Sequence, residues 1–166
     1  MKNRKSYDAV NNEKLVKRCR RIINRFSDLR DVKAISKLSY DESYVVSKYH
    51  LIHELVKIGK PAIPGLLESI RNKNHLVREL VVRALGEIGD ATITPALIKM
   101  LKRDDRRRVQ LGTIRALQKI IGVSFSAQKR TSGNAQQREV VNKWLNWWKE
   151  NKTYYKNSKN RQPVSV

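Results

Sequence analysis

Three stretches of this chain end alike: Leu55-Val-Lys-Ile-Gly59, Leu85-Gly-Glu-Ile-Gly89 and Leu117-Gln-Lys-Ile-Ile-Gly122, at spacings of 30 and then 33 residues. Two further landmarks keep nearly the same period. Arg83-Ala84-Leu85 returns as Arg115-Ala116-Leu117 and Val77 as Val109, both 32 residues on, and Pro64-Gly-Leu66 returns as Pro95-Ala-Leu97. A period in the thirties constrains the fold more than any other feature here. Each unit is too small to bury its own apolar face, so units must stack, and the fold expected is a helical solenoid.

Within each period the apolar residues follow a helical turn. Val77, Leu80, Val81, Ala84, Leu85 and Ile88 fall on one stripe of a 3.6-residue period. Pro64 and Pro95 suit a first helical turn, where a missing amide proton costs nothing, and Gly59, Gly89 and Gly122 suit the left-handed position that ends a helix. Ser39-Tyr-Asp-Glu42 reads as a capping box. Each repeat is therefore a short helix (about 32–38, 63–71 and 94–102) followed by a long one (about 42–58, 75–88 and 106–121). A stack also needs covered ends. Leu15, Val16, Cys19, Ile22, Ile23 and Phe26 form one stripe over Glu13–Phe26, and Val140, Val141, Trp144, Leu145 and Trp148 form another on a helix that Asn134 is placed to cap. The expected architecture is all-α: a short right-handed α-solenoid of about three helix pairs with N- and C-terminal capping helices. Residues 1–12 are expected to be a flexible basic N-terminus, 13–150 the solenoid domain, and 151–166 a flexible basic tail without periodicity.

The chain's 166 residues suffice for one core without a metal or disulfide staple, and the single cysteine, Cys19, cannot pair within the chain. The basic start lacks the apolar stretch of a secretory signal, and no apolar run approaches the roughly 20 residues that span a bilayer. A cytoplasmic protein without membrane insertion is expected. Charge speaks to the partner instead. Against 15 acidic residues stand 36 basic ones, a formal +21, with the excess at the two ends and in the last repeat.

The run His75-Leu-Val-Arg-Glu-Leu-Val-Val-Arg-Ala-Leu-Gly-Glu-Ile-Gly-Asp90, followed by Pro95-Ala-Leu-Ile-Lys-Met-Leu101, closely resembles bacterial HEAT-like repeats of the kind found in phycobilisome lyases. The resemblance covers roughly residues 28–122 and implies the fold. It says little of function, because such repeats serve scaffolds, chaperones, lyases and hydroxylases alike. It also implies a ladder between an Arg of the long helix and an Asp after the terminal Gly. Arg78 and Asp90 hold those places, whereas the other repeats offer Lys48 with Lys60 and Gln110 with Val123.

Signals for chemistry are sparse. His50, His53 and Glu54 share a helix face, but one helix closes no metal site. The related deoxyhypusine hydroxylases repeat His-Glu pairs along their helices, and Arg83-Ala84 and Arg115-Ala116 occupy the equivalent places here. The chain shows no serine elbow, no cysteine beside a histidine and no phosphate-cradling glycine loop. Asp41-Glu42 and Asp104-Asp105 both precede long helices and suit capping. Neither an enzyme nor a cofactor, metal or small-molecule site is expected, an enzyme of HEAT-like fold being the least favoured reading.

Binding is the better-supported class, and the basic residues name the candidates. Lys17, Arg18, Arg21 and Arg25 line the first helix, Arg106, Arg107 and Arg108 open the last long helix against its dipole, and Arg83, Arg115 and Lys119 lie along the long helices. Trp147, Tyr154 and Tyr155 are candidate aromatic contacts for bases or a protein partner. Two partners fit: nucleic acid held through its phosphates, or an acidic or amphipathic protein segment lying along the solenoid. The charge favours nucleic acid.

Overall fold

The computed structural model describes residues 13–25, 42–127 and 133–157, with the side chains of 42–47 and 156–157 outside the description. The expectations for 1–12, for the first short helix at 32–38, for Phe26 and for the capping box at Ser39 also fall outside it. Every regular element among the described residues is a helix, and the fold class is the all-α, solenoid-type one expected. The chain divides into two compact units, Met1–Ile88 and Gly89–Val166.

In the first unit α1 spans 13–25, α2 is Glu42–Ile58, α3 is Ile63–Ser69 and α4 is His75–Ile88. The long helices begin and end where the sequence places them. A 3-10 turn, Lys60–Ala62, precedes α3, whose second residue is Pro64, in the first turn as expected. The turn follows from Gly59, whose φ of 70° reverses the chain after its N–H has bonded back to the Leu55 carbonyl. Helices α2 and α3 both pack on α4. Leu51, Leu55, Leu66, Val77, Leu80, Val81, Ala84 and Leu85 form the core. The capping helix α1 joins through Cys19, Ile22 and Ile23, all buried. It packs on α3 at Gly65, where an added Cβ would lie 3.3 Å from that of Cys19. Burial pushes the Cys19 thiol above its ordinary value, so the reactive thiolate is scarce.

In the second unit α5 is Thr94–Arg103, α6 is Arg107–Ile121 and α7 is Asn134–Asn157. Helix α5 packs against both α6 and α7. Leu97, Leu101, Val109, Leu117 and Trp144 are fully buried, and the Trp144 ring meets Phe125 edge to face at 4.9 Å. Two details of α7 correct the sequence reading. Gly133, not Asn134, takes the capping position, since its carbonyl accepts the first helical bond, from the Gln137 N–H. The helix also runs on to Asn157, past the place near 151 where an aperiodic tail was expected. Ring contacts two turns apart explain the extension: Tyr155 touches both Trp147 and Trp148 at 5.7 Å, and Asn151 Nδ2 donates to the Trp147 carbonyl. Polarity hid this face from an apolar periodicity.

Trp144→Ala is expected to lower unfolding free energy by about 3–5 kcal/mol, read by urea titration. Folded protein should resist iodoacetamide at Cys19, and Gly65→Leu, by displacing α1, should make that thiol react while α5–α7 keep their stability.

Candidate polyanion-binding surface

The surface is set by a turn that the chain builds twice. After α3, the Asn72 side chain accepts from the Asn74 N–H at 2.8 Å, and after α5 the Asp104 side chain accepts from the Arg106 N–H at 3.0 Å. Each turn is then pinned from the helix that follows. Arg78 donates to the Asn72 carbonyl at 2.9 Å, and Gln110 Nε2 donates to the Asp104 carbonyl at 2.7 Å. These pairs are equivalent, 32 residues apart, although guanidinium and amide share little chemistry. The sequence reading gave Arg78 and Gln110 a ladder position. These hydrogen bonds hold the turn.

One position of this turn differs in kind. Asn74 caps α4, its Oδ1 accepting from the Leu76 N–H at 2.9 Å, while the equivalent residue before α6 is Arg106, which caps nothing with its side chain. The Arg106 side chain is 62% exposed and, among the described residues, pairs with Asp105 at 3.7 Å. Arg107 is engaged differently: its Nε donates to Gln137 Oε1 of α7 at 3.1 Å, and the Gln137 amide donates to the Arg107 carbonyl and to Gln110. Arg108 is exposed and makes no hydrogen bond or ion pair among the described residues. Lys102 and Arg103 end α5 across the turn, both exposed. The Gln137 contact also brings the first turn of α7 onto that of α6, so exposed Arg138 joins this end of the unit. Sequence reasoning missed Arg138 because only a contact 30 residues long places it there.

The other candidates separate by whether a carboxylate already holds them. Arg83 lies 3.1 Å from Glu79, which is 2% exposed and also accepts from Lys48 at 2.9 Å, while the second Glu79 oxygen is buried without a partner among the described residues. Glu79 therefore sits beneath Lys48 and Arg83 and neutralises them. Lys17 pairs with Glu13 at 2.8 Å and holds that carboxyl below its ordinary value. Arg20, which the sequence did not single out, makes two 3.0 Å hydrogen bonds to Glu68. Arg18, Arg21 and Arg25 are exposed and meet no carboxylate among the described residues, and Arg115 and Lys119 are exposed on α6.

The structure brings Trp147, Tyr154 and Tyr155 together as a self-packed cluster. Trp147 meets Trp144 at 5.6 Å and Tyr155 at 5.7 Å, and Tyr155 meets Tyr154 at 5.2 Å. Tyr154 is 43% exposed, whereas burial raises the Tyr155 hydroxyl above its usual range. His50 bonds Glu54 at 3.2 Å with His53 exposed beside them. Among the described residues no group of three or more His, Cys, Asp or Glu is arranged to hold a metal ion. No helix among them is long and apolar enough to cross a membrane.

Gln137→Ala leaves the Arg107 guanidinium and the Gln110 amide without their partner and should cost about 1–3 kcal/mol in thermal or urea unfolding. A family model described as HEAT repeats matches residues 32–118. No curated protein and no solved structure matches the chain.

Proposed function

The chain belongs to the HEAT repeat family, whose repeats generally mediate binding and scaffolding, and on that footing we propose a non-enzymatic binding module for the phosphate backbone of RNA or DNA. The observation that carries the reading is Arg106. The preceding repeat shows that this turn accepts a capping Asn, and the second turn gives the cap up for an exposed cation at the positive end of a helix. Folding forgoes a capping hydrogen bond by that choice. A phosphate gains a guanidinium backed by Arg108, with Lys102, Arg103 and Arg138 exposed at the same end of the unit. In the second unit the interface we propose consists of these residues with Arg115 and Lys119 along α6; Arg18, Arg21 and Arg25 on α1 are a separate candidate surface of the first unit. Arg107 contributes mainly by fastening α6 to α7. Lys17 and Arg83 are subordinate, each being held by a glutamate. Trp147, Tyr154 and Tyr155 chiefly stiffen the last turns of α7. The likeness of residues 75–101 to phycobilisome-lyase repeats concerns the repeat and brings no reaction with it. With a lone, buried thiol the cytoplasm is the compartment we assign.

Arg106→Asn tests the reading because its two effects have opposite signs. Restoring the cap should raise unfolding free energy by about 1 kcal/mol. The same change should weaken binding to fluorescent RNA and DNA and lower the slope of log K against log salt by about one. A stabilised variant with unchanged affinity would remove the turn from the interface, and wild-type protein that binds neither polymer near physiological salt would hand the surface to an acidic protein partner.

A further inference from the structure

Helix α1 carries six cations, and the structure divides them by position. Lys14, Arg18, Arg21 and Arg25 stand at steps of four, three and four residues, one row along a single helix face. All four are exposed and meet no carboxylate among the described residues. The two that lie off the row, Lys17 and Arg20, are the two that pair, with Glu13 and Glu68. Like charges four residues apart repel, so folding alone would favour the opposite arrangement. At about 1.5 Å per residue the row is straight and about 16 Å long. Helix α6 repeats the outer spacing with Arg108, Arg115 and Lys119, all exposed. Neither α1 nor α6 contains an aromatic residue.

Resting on the nucleic-acid reading above, we infer that the α1 row takes a double-stranded nucleic acid, with its four cations on the phosphates and no base read. A rigid line of charge matches a partner whose phosphates are themselves held in a stiff, regular array. A single strand would first have to be straightened, and proteins that do this offset the ordering with aromatic side chains on which bases stack. Both rows lack such a platform. Sequence-independent binding follows, since no amide or hydroxyl side chain stands on the α1 row to address a base edge.

The test uses the full chain with a fluorescent duplex and one of its own strands, over a series of salt concentrations. The duplex should bind roughly ten-fold or more tighter than the strand near physiological salt. The combined variant Lys14→Gln, Arg18→Gln, Arg21→Gln and Arg25→Gln should lower the duplex salt slope by about 3 to 4. Arg20→Gln, off the row, should leave that slope unchanged. Circular dichroism and urea titration establish that each variant is folded, and Arg25→Gln alone, expected to lower the slope by about one, serves should the fourfold change unfold α1. Equal or tighter binding of the single strand overturns the duplex inference while the nucleic-acid reading stands. An unchanged slope in a folded row variant overturns the row, and wild-type protein that binds neither form overturns the reading on which both rest.

Discussion

A two-helix repeat cannot hide its own apolar face, and the structure is organised around that shortfall. Val77, Leu80, Val81 and Leu85 of α4 are fully buried because α2 and α3, both before it in sequence, pack against it. The ends of the array need covers of different chemistry. At the N-terminal end α1 comes close by matching a small residue to a small residue, Cys19 against Gly65. In the second unit α7 closes the core with bulk, the fully buried Trp144 against Phe125. A large ring buries the most area per residue, though Trp144 Nε1 finds no acceptor among the described residues.

Between short and long helices the repeat must also dispose of backbone groups that no helix satisfies. The chain solves this with one geometry and two chemistries, an arginine in one turn and a glutamine in the next, each reaching back six residues to a carbonyl. The substitution is tolerated because the turn asks only for a donor at a given reach. Glutamine then offers what arginine lacks, an acceptor, and Gln110 uses it to take a hydrogen bond from Gln137. Its position in the last repeat, beside the capping helix, gives that acceptor a use.

Legibility in the sequence followed locality. Helix boundaries at 42–58 and 75–88 were readable from periodicity and punctuation, because glycine at positive φ and an apolar stripe are properties of a few adjacent residues. The end of α7 was not. Its last turns are held by Trp and Tyr rings interspersed with Lys, Asn and Thr, a pattern that a hydropathy reading scores as loop. The basic candidates were likewise visible as residue types, but their pairing was not. Nothing in the sequence separates Arg20, held by Glu68 from 48 residues away, from Arg21 beside it. Burial of Glu79 between Lys48 and Arg83 was equally hidden, since an acidic residue on a basic helix reads as solvated unless the neighbouring helix is known.

The proposed polyanion partner is supported by cost more than by charge. A surplus of lysine and arginine can be neutral toward folding when carboxylates are set among them, and this chain does so at Lys17, Arg20, Lys48 and Arg83. Elsewhere it accepts arrangements that destabilise it. Like charges four residues apart on a helix cost about 0.2–0.5 kcal/mol each, and cations in a first turn lose roughly 0.3–1 kcal/mol against the helix dipole. The second occurs at Arg106, Arg107 and Arg108 and the first along α1, at Lys14 with Arg18 and Arg21 with Arg25, where neighbouring cations about 5–6 Å apart at Cβ stand inside the roughly 10 Å screening length of ordinary salt. These terms are individually small, but they share a sign, and each is relieved by a single phosphate placed against the helix. An adaptor for a neutral or apolar segment would leave every one of them unrelieved.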